Sequence, residues 1–198
     1  MAYDKFNILK STAVPLPIEN VDTDQIMPAR FLKATERKGF GDNLFRDWRY
    51  NSDGSPKEDF VLNNPIYSGK ILVGGKNFGS GSSREHAAWG VYDYGFRCVI
   101  SSFFADIFKG NCLNVGVLPV QVSAEFAHKI FTAIESDPQT EIEVNLPEQT
   151  VTIVATGEQE SFDINEYKKD NMRNGFDDID YLQNMKEDIR SFAANTPL

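Results

Sequence analysis

Residues 70–86 read KILVGGKNFGSGSSREH, and this stretch decides the fold. KILVGG is a continuous apolar run closed by two glycines, the pattern of a short, fully buried strand. A loop of Asn, Gly and Ser follows. Arg84, Glu85 and His86 then lead into AAWGVYDYG, which predicts a helix from about Ser82 to Tyr94, stopped at Gly95. Strand, glycine loop and helix make one βα unit, and the pattern repeats downstream. FRCVIS (96–101) reads as a strand, SFFADIFKGN (102–111) as a helix ended near Gly110, and GVLPVQV (116–122) as a strand. AEFAHKIFTAIES (124–136) is an amphipathic helix with Phe126, Ile130, Phe131 and Ile134 on one face. Such alternation predicts an α/β core.

The flanks are less regular. EIEVNLPEQTVTIV (141–154) alternates with period two around Pro-Glu-Gln and predicts a hairpin at the sheet edge. From residue 163 onward the chain reads as two short helices separated near Gly175 and lying across the surface. The first third combines short strands and loops: FNILKSTAVPLP (6–17), the acidic turn ENVDTDQI (19–26), then a mixed segment to Tyr50. Residues 51–59, NSDGSPKED, form a polar connector with the composition of an exposed loop. One compact domain over 1–162 with a C-terminal helical extension over 163–198 is expected.

Composition narrows the function. Lysine and arginine total 20 against 29 acidic residues, a net charge of -9, so the chain has no basic field with which to hold a polyanion. Nucleic acid is not an expected partner. No apolar run approaches the roughly 18 residues of a membrane span, and MAYDKFNILK lacks the apolar segment of a signal peptide, so a cytoplasmic protein is expected. Cys98 and Cys112 are the only cysteines, in no ligand spacing, and His86 and His128 the only histidines. No metal or iron-sulfur cluster is expected on this chain alone, and Cys98, on a strand, reads as a small buried hydrophobe.

The loop NFGSGSSREH carries the chemistry. Gly79 and Gly81 let the backbone turn sharply and approach a ligand, since glycine tolerates positive φ and has no Cβ. Free N–H groups at a helix start favour an anion, and Arg84 adds a fork of donors suited to a carboxylate. A second reading needs no ligand: Ser82 and Glu85 make an S-x-x-E capping box by themselves. His86 reads as a hydrogen-bonded support rather than a catalyst. The named glycine motifs fail: there is no GK[ST], Arg84 stands where the dinucleotide fingerprint needs its third glycine, and Glu85 where a nucleophile elbow needs glycine.

NFGSGSSREHAAWGVYDYGFRCVI, followed by SSFFADIFKGNCLNVGVLPV, resembles the signature of the isopropylmalate dehydratase (isopropylmalate isomerase) small-subunit family of the aconitase superfamily. NVDTDQIMPARFLK, GFGDNLFRDWRY and NGFDDI resemble the same family in the same order, so the likeness spans nearly the whole chain. It implies the swivelling β/β/α domain, with a [4Fe-4S] cluster carried by a separate large subunit, which accounts for the missing cysteines. The implied reaction removes water from 2-isopropylmalate to give isopropylmaleate and restores it in the other orientation to give 3-isopropylmalate, in leucine biosynthesis. One iron of the partner's cluster would act as Lewis acid on the hydroxyl.

Carried over by resemblance, Ser82 is the general base, Arg84 clamps a carboxylate of a small dicarboxylate substrate, and Ser83 adds a hydrogen bond to the same group. Asp24 matches an active-site aspartate, with Asp22 and Thr23 shaping its turn. Arg37 is a candidate second carboxylate-binding arginine, with a solvated surface arginine the other reading. ARFLKA (29–34) corresponds to the specificity loop, where Phe31 and Leu32 would meet the isopropyl group or else belong to the core. Lys33 leaves the choice of side group open. Ser80 stands where many relatives have cysteine, a change that keeps the loop's size. Two further readings stand beside this one: a related hydro-lyase acting on citramalate or another 2-alkylmalate, and a non-catalytic anion-binding module.

Overall fold

The computed structural model describes residues 3–32 and 39–195. Its centre is a seven-stranded sheet in the order β4-β3-β2-β1-β5-β6-β7. β1 (Ile8–Leu16) pairs in parallel with β2 (Ile71–Gly74), β2 with β3 (Cys98–Ser101), and β3 with β4 (Leu118–Gln121). On its other side β1 is antiparallel to β5 (Glu141–Asn145), which continues through β6 (Thr150–Ile153) to β7 (Gln159–Ser161). The sheet is thus half parallel and half antiparallel, divided at β1.

The parallel half is buried on both faces, and the alternation along its strands assigns each side chain to one of two cores. Ala13, Ile71, Val73, Cys98, Ile100, Leu118 and Val120 face helix α5 (Ala124–Ser136), whose Phe126, Ile130 and Ile134 are buried among them. Val14, Leu16, Leu72 and Val99 face the opposite way, toward α3 (Glu85–Tyr94) and α4 (Asp106–Asn114). Strands covered on both faces read as unbroken apolar runs, which is why KILVGG shows no period of two. In the antiparallel half, Ile142, Val144, Val151 and Ile153 turn inward while Glu141, Glu143 and Thr152 do not. One covered face leaves the alternation visible.

Four elements differ from the sequence expectation. Helix α3 begins at Glu85 rather than Ser82. Helix α4 runs through Gly110 to Asn114, because burial of Phe108 and Cys112 outweighs the roughly 1 kcal/mol that a helical glycine costs. The β5–β6 hairpin, closed by Leu146 to Gln149, is not the edge: the short polar strand β7 lies outside it. Beyond residue 163 there are three helices: α6 (Glu166–Asn174), α7 (Asp178–Asn184) and α8 (Lys186–Asn195). Gly175 caps α6 in the left-handed conformation, as its place in the sequence suggested. Met172 on α6 is buried beside Phe162, so this first helix belongs to the packed body. Residues 51–56 are exposed and held as a tight excursion, with Asn51 donating to Ser55 and Lys57 to Arg49 through the backbone.

The short segments between β1 and β2 pack against α3. The turn at Phe40–Asn43 lies on this helix, its Gly41 N–H donating to the Asp93 carboxylate at 2.8 Å. Arg49 on α2 (Arg46–Arg49) is buried and reaches the carbonyls of Gly41 and Leu44, the Asn63 side chain and the Tyr50 hydroxyl. Its guanidinium also lies over the Tyr94 ring, 4.9 Å from the centroid. Arg49 therefore ties the irregular segment to the end of α3.

Candidate active site

Two loops leave the carboxyl ends of the adjacent parallel strands β1 and β2, and they are joined along their length. The N–H groups of Gly79 and Ser80 both donate to the Val21 carbonyl, at 2.8 and 3.0 Å, and Thr23 N–H donates to the Ser80 carbonyl at 2.8 Å. The Asn77 side-chain amide donates to Asn20 Oδ1 at 2.9 Å. Asn20 and Asn77 both have positive φ, 56° and 60°, a conformation that asparagine tolerates better than most residues. Gly79 and Gly81 also have positive φ, and a Cβ on Gly79 would lie 2.2 Å from the Phe108 ring. Only glycine permits that approach.

The capping box does not form. The Ser82 carbonyl accepts from the Thr23 hydroxyl at 2.9 Å and from Arg84 N–H at 2.8 Å. Residues 82–84 are thereby drawn into a tight turn, and helix α3 starts three residues late with Arg84 as its N-cap residue and no side-chain cap. Ser82 and Ser83 are exposed. Among the described residues, the N–H groups of Gly81, Ser82 and Ser83 and both serine hydroxyls have no hydrogen-bond partner. A row of donors at the start of a ten-residue helix, on a loop fixed from below, is an arrangement that holds an anion.

Arg84 follows this row as the N-cap residue of α3. Its guanidinium pairs with the Asp24 carboxylate from α1 (Thr23–Ile26), and its side chain is only 20% exposed against 52% for Asp24. The pair explains a cation at the positive end of a helix: a carboxylate comes with it. Asp22 caps α1 in a capping box with Gln25, so it serves the turn that presents Asp24. His86 is positioned by rings, 4.4 Å from Trp89 and 5.6 Å from Phe40 between centroids. No described residue shares a hydrogen bond with His86, so its support comes through packing, in place of the expected hydrogen bond. Ser80 Oγ comes within 3.4 Å of the Asn20 and Val21 carbonyls and faces the joined loops.

Phe31 and Leu32 pack against the core formed by α3 and α4 while remaining partly exposed. Arg30 beside them pairs with Asp47 and lies over the Phe31 ring, 4.7 Å from its centroid. That guanidinium holds the Asp47 carboxyl below its usual range. Lys33 and Arg37 lie outside the described residues. Sequence reasoning missed the Asn20–Asn77 bond and the Thr23 hydroxyl. Their only signal was an asparagine in the same position ahead of each loop motif.

The two thiols do not fit an iron-sulfur cluster, which needs three or four thiolates at one place. Cys98 lies in the core facing α5 and Cys112 in the opposite one, and burial pushes both thiols well above their usual range. Among the described residues no group of three or more His, Cys, Asp or Glu side chains could hold a metal ion. No described helix is long and apolar enough to cross a membrane.

Comparison with known proteins agrees with this geometry. The family model of the aconitase C-terminal domain matches residues 3–125, and that of LeuD_N matches residues 128–166. The chain is similar to the 3-isopropylmalate dehydratase small subunit of Cytophaga hutchinsonii, 62% identical over 98% of this chain and 96% of that one. The corresponding subunit of Christiangramia forsetii is 60% identical over 96% and 92%. A crystal structure of 3-isopropylmalate dehydratase from Methanocaldococcus jannaschii superposes with a TM-score of 0.69 at 25% identity, covering 94% of this chain and 99% of that one. The mixed sheet with its serine loop, the match to the aconitase C-terminal domain over more than half of the chain and identities of this size over nearly the full length place the chain in the 3-isopropylmalate dehydratase small-subunit family, within the aconitase superfamily.

Proposed function

We propose that this chain is the small subunit of a two-chain hydro-lyase that isomerises 2-isopropylmalate to 3-isopropylmalate through isopropylmaleate, a step of leucine biosynthesis in the cytoplasm. The observation that carries the proposal is the row of unpartnered N–H groups and hydroxyls over residues 81–83, pinned to the Asp24 turn. In this reading residues 1–162 act as the swivelling domain and 163–198 as its helical extension. A [4Fe-4S] cluster on the large subunit supplies Lewis-acid chemistry toward the substrate hydroxyl.

This chain's residues account for the proton and the carboxylate. Ser82 Oγ takes the proton from the carbon next to a carboxylate and returns it during rehydration. A hydroxyl is a weak base in water, and the neighbouring N–H groups and guanidinium favour its anionic form once the partner excludes solvent. Arg84 holds one carboxylate and Ser83 donates to it, while Asp24 keeps the guanidinium in place. Gly79 and Gly81 shape the loop, and His86, set by Phe40 and Trp89, supports the start of α3. Phe31 and Leu32 meet the isopropyl group with the parts of their side chains that the core leaves exposed. The roles of Lys33 and Arg37, the latter as a second carboxylate arginine, rest on the sequence resemblance alone.

The test is anaerobic co-expression with the large subunit and an ultraviolet assay of isopropylmaleate interconversion. Ser82→Ala should assemble normally and lose about a hundred- to ten-thousandfold in kcat, the usual contribution of a positioned base. Turnover within a few fold of the unmodified complex would take Ser82 out of the mechanism.

A further inference from the structure

Helices α7 and α8 carry a surface that the body of the chain does not cover. Ile179, Leu182, Met185 and Ile189 recur at intervals of three, three and four, the spacing that lines one side of a helical segment. All four are exposed: Ile179 by 61%, Leu182 by 52%, Met185 by 36% and Ile189 by 49%. Helix α8 buries no residue at all. A ten-residue helix has too few turns to be stable by itself in water, so this apolar stripe is maintained for something that packs on it.

The root of the pair is firmly held. Tyr3 and Phe6 N–H groups donate to the Gly175 and Met172 carbonyls, each at 2.9 Å. Lys168 on α6 pairs with Asp178 at 2.6 Å, and the Tyr167 and Tyr181 rings meet edge to face at 4.5 Å. This root lies toward the opposite end of α3 from the serine loop. Tyr3 packs on Tyr92 near the end of α3, whereas Arg84 stands at its start.

Charge selects the occupant. Residues 177–195 hold five acidic side chains and two basic ones, on a chain whose net charge is -9. A second copy would set like charges against each other, and an anionic lipid surface would repel the same flank. An apolar groove rimmed by lysine and arginine fits it, and the large chain that a small-subunit family requires is the protein positioned to supply one.

Building on the function proposed above, we propose that α7 and α8 are a permanent tether to the large subunit, docked in such a groove. The location gives the reason. A surface that opens and closes around substrate cannot also be the lasting attachment. Anchoring the domain at the edge away from the serine loop leaves that loop free to move onto and off the substrate while the subunits stay together. In a single-chain relative a covalent linker could serve this purpose; two separate chains need a contact.

The experiment uses the full chain with the large subunit. Leu182→Asp with Ile189→Asp changes only exposed side chains, and an unchanged thermal melt of the free chain shows that its body is intact. The expected result is a Kd for the large subunit raised a hundredfold or more, with kcat nearly unchanged when the variant is supplied in excess. Removal of residues 177–198 should have the same effect. An unchanged Kd in both would overturn the tether, as would loss of self-association of the free chain without loss of large-subunit binding. A cluster-bearing complex that is inert to isopropylmaleate yet weakened by these changes would uphold the tether and overturn the proposed substrate. Failure of the unmodified chain to bind the large subunit would overturn both.

Discussion

Arg84 is paired with Asp24, and the carboxylate orients the guanidinium. An ion pair with one half-exposed partner contributes at most about 1 kcal/mol, which is about fivefold in affinity. Asp24→Asn should therefore raise KM roughly fivefold, leave kcat within about twofold and change stability by less than about 1 kcal/mol; steady-state kinetics and a melt measure all three. A collapse of kcat instead would move Asp24 into the proton-transfer chemistry. At this scale the sequence exposed the residue types in the loop motif but not their bonds. Ser82 and Glu85 satisfied a local capping pattern that the Thr23 hydroxyl overrode from 59 positions away, by engaging the Ser82 carbonyl. A contact between loops of two adjacent strands has no local signature, and neither does the amide bond of Asn20 to Asn77.

Elements were legible where one pattern governed them. Helix α5 runs over the residues its amphipathic spacing predicts, with Ser123 capping it through a bond to Phe126 N–H. β7 was not legible, because Gln159, Glu160 and Ser161 carry no apolar residue; Glu160 is engaged instead in accepting from the Ser123 N–H and hydroxyl at the start of α5. Nor did periodicity reveal how the Phe40–Asn43 turn meets α3, yet two glycines there respond very differently to one added methyl group. A Cβ on Gly41 would stand 2.5 Å from the Tyr94 backbone nitrogen, which cannot yield without moving the helix. A Cβ on Gly90 would stand 2.4 Å from Met27 Cε, the end of a flexible side chain. Gly41→Ala should cost about 1–3 kcal/mol and lower Tm by several degrees. Gly90→Ala should be close to neutral, since a helix gains roughly 1 kcal/mol on replacing glycine by alanine. Equal losses in the two melts would show that α3 is mobile against this turn.

For the whole molecule, the division of the sheet at β1 separates two tasks. The parallel half, covered on both faces, fixes the serine loop and the Asp24 turn as one rigid piece at its carboxyl edge. The antiparallel half and α6 close the core, and α8 buries no residue in it. The parallel half was legible in the sequence because fully buried strands alternating with helices leave a strong pattern; the assembly was not, because its partner surface is written in another chain. Charge offers a way to observe it. With a net charge of -9, the chain presents a predominantly negative field to any partner, and a partner whose groove is basic is steered toward it over distances that salt screens, about 10 Å at 0.1 M and about 3 Å at 1 M. The association rate constant with the large subunit should therefore fall by roughly tenfold or more between about 0.05 and 0.5 M salt, while dissociation, governed by the buried apolar stripe, changes by much less. Stopped-flow measurement of both rates at matched temperature separates them. A salt-independent association rate would mean that the partner's groove does not carry the positive charge that the acidic flank of α7 and α8 selects.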